Sequence, residues 1–160
     1  MAQLDAIEEF RQDHRKVRDG LLSMASALGQ KDVIKAREIL NGLNVLVGPH
    51  FRYEEEALYP AMKQFLGEYV DQLLEEHDGV IKTAKECARL LSKDSLSEQE
   101  AAEAIKATRA LLIHVSNCDG LAILTERLTR QELSALADKY SQVLKQGVTL
   151  LEWADSVRKR

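Results

Sequence analysis

Apolar residues recur every three or four positions along most of this 160-residue chain, a spacing that places them on one face of an α-helix. The first such stretch carries Ile7, Phe10, Val17 and Leu21. Gly29 follows it as a residue that commonly ends a helix. Only two prolines and eight glycines interrupt the sequence. The pattern therefore predicts a chain that is almost entirely helical.

The helix boundaries are marked by residues that favour helix ends. Ser97 and Thr129 each begin an S/T-x-x-E sequence, which forms a capping box at a helix N-terminus. Pro49 and Pro60 are expected to bend the second helix, because proline lacks a backbone donor and crowds the preceding turn. The helices are expected up to about residue 29, over about 32–66 and 68–91, from about residue 97 onward, and over about 130–157.

Long helices joined by short loops normally alternate up and down. The sequence therefore predicts an all-α fold, an up-and-down four-helix bundle of about residues 2–128 with an additional C-terminal helix of about residues 130–157. With 45% hydrophobic residues, the chain can bury one continuous core, so we expect a single domain over residues 1–160.

Composition excludes several classes of function. The 22 basic and 26 acidic residues give a net charge of -4, which argues against nucleic-acid binding. No apolar run approaches the ~18 residues that a membrane span needs, and the first residues lack the apolar core of a secretory signal. We therefore expect a cytoplasmic protein without a membrane partner. Cys87 and Cys118 form no CxxC pair and are expected to be free thiols.

Four histidines, the only ones in the sequence, each interrupt the apolar face of a different predicted helix. Measured from the first loop at ~1.5 Å per residue, His14 and His50 lie at similar heights along their helices. The same measurement from the two following turns brings Glu54, His77 and His114 to one level. The sequence therefore predicts a single polar layer within the bundle.

This polar layer has two interpretations. Each histidine could be a buried side chain that is satisfied by a neighbouring carboxylate or backbone group. Four buried imidazoles together with Glu54 would, however, leave several polar groups to satisfy, at about 1–3 kcal/mol for each one left unpaired. A metal ion would satisfy them, and imidazole with carboxylate suits iron, manganese or zinc. His50 and Glu54 are four residues apart, so they share a helix face and could bind one centre.

The segment HFRYEEEALYP, from His50 to Pro60, resembles the H-F-x-x-E-E-x-x-L-F-P signature of the hemerythrin-like, or HHE, family. The sequence E-E-H ending at His77 and the later histidine on the fourth helix complete the family's order. The resemblance implies a four-helix bundle with a non-heme di-iron centre, in which two iron ions share an oxo or hydroxo bridge. It implies as metal ligands His14, His50, Glu54, His77 and His114.

The last motif, HVSNCDG, departs from the family's pattern because two residues could complete the centre. Cys118 lies four residues after His114, and Asp119 lies five residues after it. A spacing of five misaligns the two side chains by roughly 140° on a regular helix, unless a π-bulge absorbs the extra residue. We favour Asp119 as the second bridging carboxylate. A thiolate ligand or redox thiol at Cys118 is the alternative.

A second departure concerns the third helix. Oxygen-carrying hemerythrins have a histidine pair four residues apart there, whereas Leu73 and Ile81 flank His77 in this chain. Each iron should then keep an open or water-filled position, which favours reactivity over reversible oxygen carriage. Tyr53 and Tyr59 flank the predicted site as packing residues or as hydrogen-bond and electron-transfer partners.

The resemblance thus implies a protein that binds or senses oxygen, nitric oxide or iron. The alternative is a di-iron enzyme, such as an oxidase, peroxidase or nitric oxide reductase, and a third reading is a metal-free interaction bundle. The expected partner is a small diatomic ligand or peroxide. A homodimer through the C-terminal helix is also expected.

Overall fold

A computed structural model describes residues 3–158 of the chain, and it contains helices but no strand within that range. The prediction of an all-helical fold is confirmed. None of the helices in the described part is long and apolar enough to cross a membrane. The α-helices are α1 Ala6–Gly29, α2 Val33–Tyr53, α3 Tyr59–Leu66, α4 Tyr69–Leu90, α5 Glu98–Ala110, α6 Leu112–Asp119, α7 Leu121–Leu124, α8 Arg130–Gln146 and α9 Leu150–Val157.

A π-helical segment, Glu54–Leu58, joins α2 to α3 where the sequence predicts one bent helix. The N–H of Tyr59 donates to the carbonyl of Glu54, five residues earlier. Pro60 follows at the start of α3. Because Pro60 has no N–H and its ring would crowd the carbonyl four residues earlier, a wider turn before it relieves the conflict. Single π turns are frequent at functional sites, and this one begins at a predicted ligand.

The long helices pack side by side around a buried interior. α1 packs along α2 and α5, while α4 contacts α2, α5 and α6. The buried apolar residues form separate clusters, one containing Phe10, Tyr59 and Leu73, and another containing Met24 and Leu91. Along α1, His14 lies between the residues that belong to these two clusters. The polar layer therefore lies between two apolar parts of the core.

The C-terminal segment differs from its prediction, because two helices replace the single helix expected over about 130–157. Gly147 ends α8 in the left-handed conformation, with φ of 58°. α9 packs against α2 and α4, and its Trp153 is buried. A Cβ on Gly48 would lie 2.1 Å from the carbonyl oxygen of Val148, so only glycine allows this close approach.

The outer limits of the predicted domain include residues 1, 2, 159 and 160, which lie outside the described residues. The division of the chain into a bundle and an added C-terminal segment within one domain stays a prediction, as does the homodimer.

Candidate metal centre

Five of the six predicted site residues converge in one buried layer. They come from five different segments of the chain, namely α1, α2, the π-helical segment, α4 and α6. The packing of these segments therefore brings the five side chains together. Each is at most 7% exposed, which removes solvent as a partner for the polar atoms. The five residues are His14, His50, Glu54, His77 and His114.

The first oxygen of Glu54, Oε1, faces two histidines and a cysteine. It lies 3.0 Å from Nε2 of His50 and 3.7 Å from Nε2 of His14. The thiol of Cys118 donates a hydrogen bond to the same oxygen over 2.7 Å. Donor atoms of His14, Glu54 and Cys118 all lie within 4.8 Å of one another, so the three could hold one ion.

The second oxygen of Glu54, Oε2, faces the other two histidines. It lies 2.9 Å from Nε2 of His77, but the two atoms do not form a hydrogen bond. Oε2 and Nε2 of His114 are both buried, and among the described residues neither has a hydrogen-bond partner. Donor atoms of Glu54, His77 and His114 lie within 4.8 Å of one another. This second group could also hold an ion.

Every histidine of the layer has its Nδ1 atom on a carboxylate. In a neutral imidazole, such a carboxylate fixes the ring orientation and holds the proton on Nδ1, so that Nε2 carries the free lone pair that a metal ion would bind. All four Nε2 atoms lie on the inner side, around Glu54. The pairs are His14 with Asp119 at 3.0 Å, His50 with Asp13 at 3.0 Å, His77 with Glu55 at 2.9 Å and His114 with Glu76 at 2.8 Å.

Three of these carboxylates are held by further side chains. Tyr140 of α8 donates to Asp13. Arg158 donates to Glu55 over 3.1 Å. Asn117 of α6 donates to Glu76 over 3.0 Å. The histidine rings are therefore oriented by a layer of groups that reaches the surface and the C-terminal segment.

These outer carboxylates are only partly predictable from the sequence. From the sequence alone, Glu55 and Glu76 are expected on a solvated face, and the alternative is that one of them accepts a hydrogen bond from a histidine N–H. Asp13 is 4% exposed and was not identified at all. Its one signal is its position beside His14 on the predicted apolar side of the first helix. That signal is weak, because adjacent helical residues point about 100° apart.

The two candidates after His114 occupy different places. α6 is a regular helix from Leu112 to Asp119, without a π turn. Cys118 is therefore on the face of His114 and fully buried, whereas the side chain of Asp119 is 51% exposed. The structure brings Cys118 against Glu54 and leaves Asp119 outside the buried cluster. Asp119 as a bridging ligand stays a prediction.

The charges in this layer are strongly coupled. Burial lowers the pKa of His50, but attraction to Glu54 and Asp13 outweighs burial and raises that pKa to about 10. Burial raises the pKa of Glu54, yet His50 and the other histidines hold it well below its usual range. For Cys118, burial and the neighbouring Glu54 raise the thiol pKa well above normal. Without a metal ion, the layer thus contains a protonated His50 beside an ionised Glu54.

The two predicted tyrosines have different surroundings. The hydroxyl of Tyr59 lies 3.0 Å from Nε2 of His77 and 3.3 Å from Sγ of Cys118, inside the layer. The ring of Tyr53 packs against that of Tyr140, with ring centroids 4.9 Å apart. Tyr59 therefore contacts the candidate ligands, and Tyr53 is a packing residue beside them.

An all-helical chain with buried histidine, glutamate and cysteine groups that could hold a metal ion is typical of helical metal-binding proteins. The profile of the hemerythrin HHE cation-binding domain matches residues 5–146. The chain belongs to this family, and the resemblance seen in the sequence is confirmed. Neither the curated proteins nor the solved structures include a match to the chain.

Proposed function

We propose that this protein binds two iron ions that are bridged by Glu54, within an up-and-down four-helix bundle extended by a C-terminal segment. The proposed histidine ligands are His14 and His50 for one ion, and His77 and His114 for the other. The observation that carries this proposal is the shared orientation of the four rings. Each has Nδ1 on a carboxylate and Nε2 toward Glu54, an arrangement that suits metal ligation.

The atoms without partners fit this proposal. Nε2 of His114 and Oε2 of Glu54 are buried and unpaired in the described part of the chain, and each such atom costs about 1–3 kcal/mol. A bound cation would accept lone pairs from both atoms and would remove that cost. Imidazole and carboxylate ligands between facing helices are characteristic of di-iron carboxylate sites. We therefore infer iron as the natural metal.

We further propose that the centre binds or senses a small diatomic molecule, oxygen or nitric oxide, or iron itself. A bound di-iron centre would supply open coordination positions and electrons for such a molecule. An apolar cavity of about 100 Å³ supports this proposal, since it borders His14, His50 and His114 and could admit a small apolar molecule. Leu73 and Ile81 beside His77 offer no additional ligand. A cytoplasmic location and a homodimer through the C-terminal helix belong to the same proposal.

A di-iron enzyme, such as an oxidase or peroxidase, is the second candidate function. The contact between Tyr59 and Cys118 favours it, because both side chains can be oxidised and both adjoin the candidate ligands. Steady-state consumption of hydrogen peroxide or oxygen in the presence of an electron donor would distinguish catalysis from binding. A single stoichiometric reaction without turnover supports a binding or sensing protein.

The proposed function is tested by metal analysis of protein that was expressed with excess iron and purified without oxygen. We expect close to two iron ions per chain, and a change in the visible spectrum when oxygen or nitric oxide is added. A content near one ion per chain, or zinc in preference to iron, contradicts the di-iron proposal. An unchanged spectrum with both gases contradicts the proposed ligands.

A further inference from the structure

Cys118 occupies the position around Glu54 Oε1 that the histidines leave open. Its side chain is fully buried, and Sγ lies 2.7 Å from that oxygen. His50 and His14 approach the same oxygen from α2 and α1, at 3.0 and 3.7 Å. Two imidazole nitrogens and one sulfur therefore surround Glu54 Oε1, and donor atoms of His14, Glu54 and Cys118 lie within 4.8 Å of one another.

Helix geometry explains why the thiol points inward. Cys118 follows His114 by four residues in the regular helix α6, so both side chains lie on its buried face. Asp119 is one residue further and half exposed. The hydroxyl of Tyr59 lies 3.3 Å from Sγ, which gives the sulfur a second polar neighbour. The backbone conformation of α6 thus determines which of the two residues reaches the centre.

We propose that Cys118 is a metal ligand through its thiolate, and that it completes a four-donor site with His14, His50 and Glu54. This inference rests on the proposed function, since it assigns a further ligand to the same centre. When the ion binds, the S–H bond breaks, the proton leaves to solvent and a sulfur–metal bond forms. No electron is transferred in this step.

The proposal makes the two metal positions unequal. The first would have the imidazoles of His14 and His50, a carboxylate oxygen and a thiolate, whereas the second would have Glu54, His77 and His114 as its protein donors. Donor atoms of His14, Glu54 and Cys118 lie within 4.8 Å of one another, as do those of the second group. Nε2 of His114 and Oε2 of Glu54, both buried and unpaired in the described part of the chain, independently point to a cation in this layer. A thiolate is a softer ligand than carboxylate, so the first position should favour cobalt, iron or zinc over magnesium or manganese.

Cobalt(II) provides a direct test, because a thiolate ligand gives a charge-transfer absorption in the near ultraviolet. The metal-free full-length protein is titrated with cobalt chloride, alongside the variants Cys118→Ser and Cys87→Ser. Cys87 is a matched control, since it is also a buried cysteine but belongs to a different apolar cluster. We expect the absorption in the unmodified protein and in Cys87→Ser, and its loss in Cys118→Ser. Cobalt affinity should fall about tenfold or more in Cys118→Ser. Even the loss of a residue that only hydrogen-bonds to a metal ligand typically lowers metal affinity by about that factor.

X-ray absorption of the cobalt-loaded unmodified protein gives a measurement that does not depend on folding of a variant. We expect a sulfur neighbour at about 2.3 Å, the usual distance for a thiolate on such an ion. If cobalt binds with nitrogen and oxygen neighbours only and without charge-transfer absorption, Cys118 is not a ligand, while the metal-binding function stands. If the unmodified protein binds no cobalt, iron or zinc, both proposals are overturned.

Discussion

Nδ1 of His14 lies 3.0 Å from Oδ1 of Asp119, on the side of the imidazole opposite the nitrogen that approaches the buried centre. Asp119 is thus placed to orient His14, a proposed ligand, whereas the sequence predicted that Asp119 itself would bind the metal. The two roles differ in the amount of metal that should be lost when Asp119 is removed.

Asp119→Ala should keep two metal ions per chain and bind them with about 10- to 100-fold lower affinity, the usual effect of removing a partner of a histidine ligand. Metal titration against a competing chelator measures both quantities. Asp19→Ala is the control, because Asp19 is 68% exposed on α1, the helix that carries His14. Loss of one equivalent of metal in Asp119→Ala would show instead that Asp119 is a bridging ligand.

Glu54→Gln should reduce the metal content from two ions to one or fewer per chain. The amide of glutamine keeps the shape of the side chain but removes the negative charge that the two proposed metal positions share. Glu56→Gln is the matched control, since Glu56 lies in the same π-helical segment and pairs with Arg52 and Lys139. The content is measured by elemental analysis after iron loading. Two ions in Glu54→Gln would contradict the bridging role.

His77→Ala and His114→Ala should each lower metal content and melting temperature together. A ligand that binds only the folded state stabilises it by mass action, by about 2.7 kcal/mol at a free concentration of 100 times Kd. Ile113→Ala removes an exposed neighbour of His114 and serves as the control. The variants are compared by calorimetry with and without iron. Unchanged metal content in both histidine variants would exclude these residues as ligands.

The metal-free protein should lose stability as the pH rises from about 7 to 10. Burial lowers the pKa of His50, but Glu54 and Asp13 raise it overall from 6.5 to about 10. A histidine whose pKa is higher in the folded than in the unfolded state stabilises the fold when it is protonated. This contribution is complete at pH values below the pKa of the unfolded state, and it is lost as the pH rises through the pKa of the folded state. Urea denaturation of the metal-free protein at several pH values measures the effect. His50→Gln should show a weaker dependence, and an identical dependence would disprove this cause.

Arg158→Ala should weaken metal binding by less than about tenfold, because a partly exposed ion pair contributes ~1 kcal/mol or less. Arg158 pairs with Glu55, which in turn accepts from Nδ1 of His77. Lys85→Ala is the control, since it removes an exposed pair with Asp155 of α9, the helix that Arg158 directly follows. Affinity for iron or cobalt is measured by competition. Equal effects of the two substitutions would mean that the contact with Glu55 has no specific role.

Local sequence signals predicted much of the fold, but they also include a break in the last helix that the predicted helix boundaries lack. The capping boxes at Ser97 and Thr129 begin helices as expected. Gly147 and the third capping box at Thr149 divide the last helix in two, although the apolar spacing continues across the break. Glycine at this position ends a helix because it adopts the left-handed conformation without strain.

The sequence by itself determined that the chain is helical and that four histidines and Glu54 meet in one layer, because helical spacing and a constant rise per residue fix both face and height. Only the tertiary structure decided which groups complete that layer. The regular path of α6 turns Cys118 inward and Asp119 outward, and neighbouring helices bring Asp13, Glu55 and Glu76 onto the outer nitrogens of the rings. These pairings depend on the rotation of one helix against another, which residue spacing within a single helix does not specify.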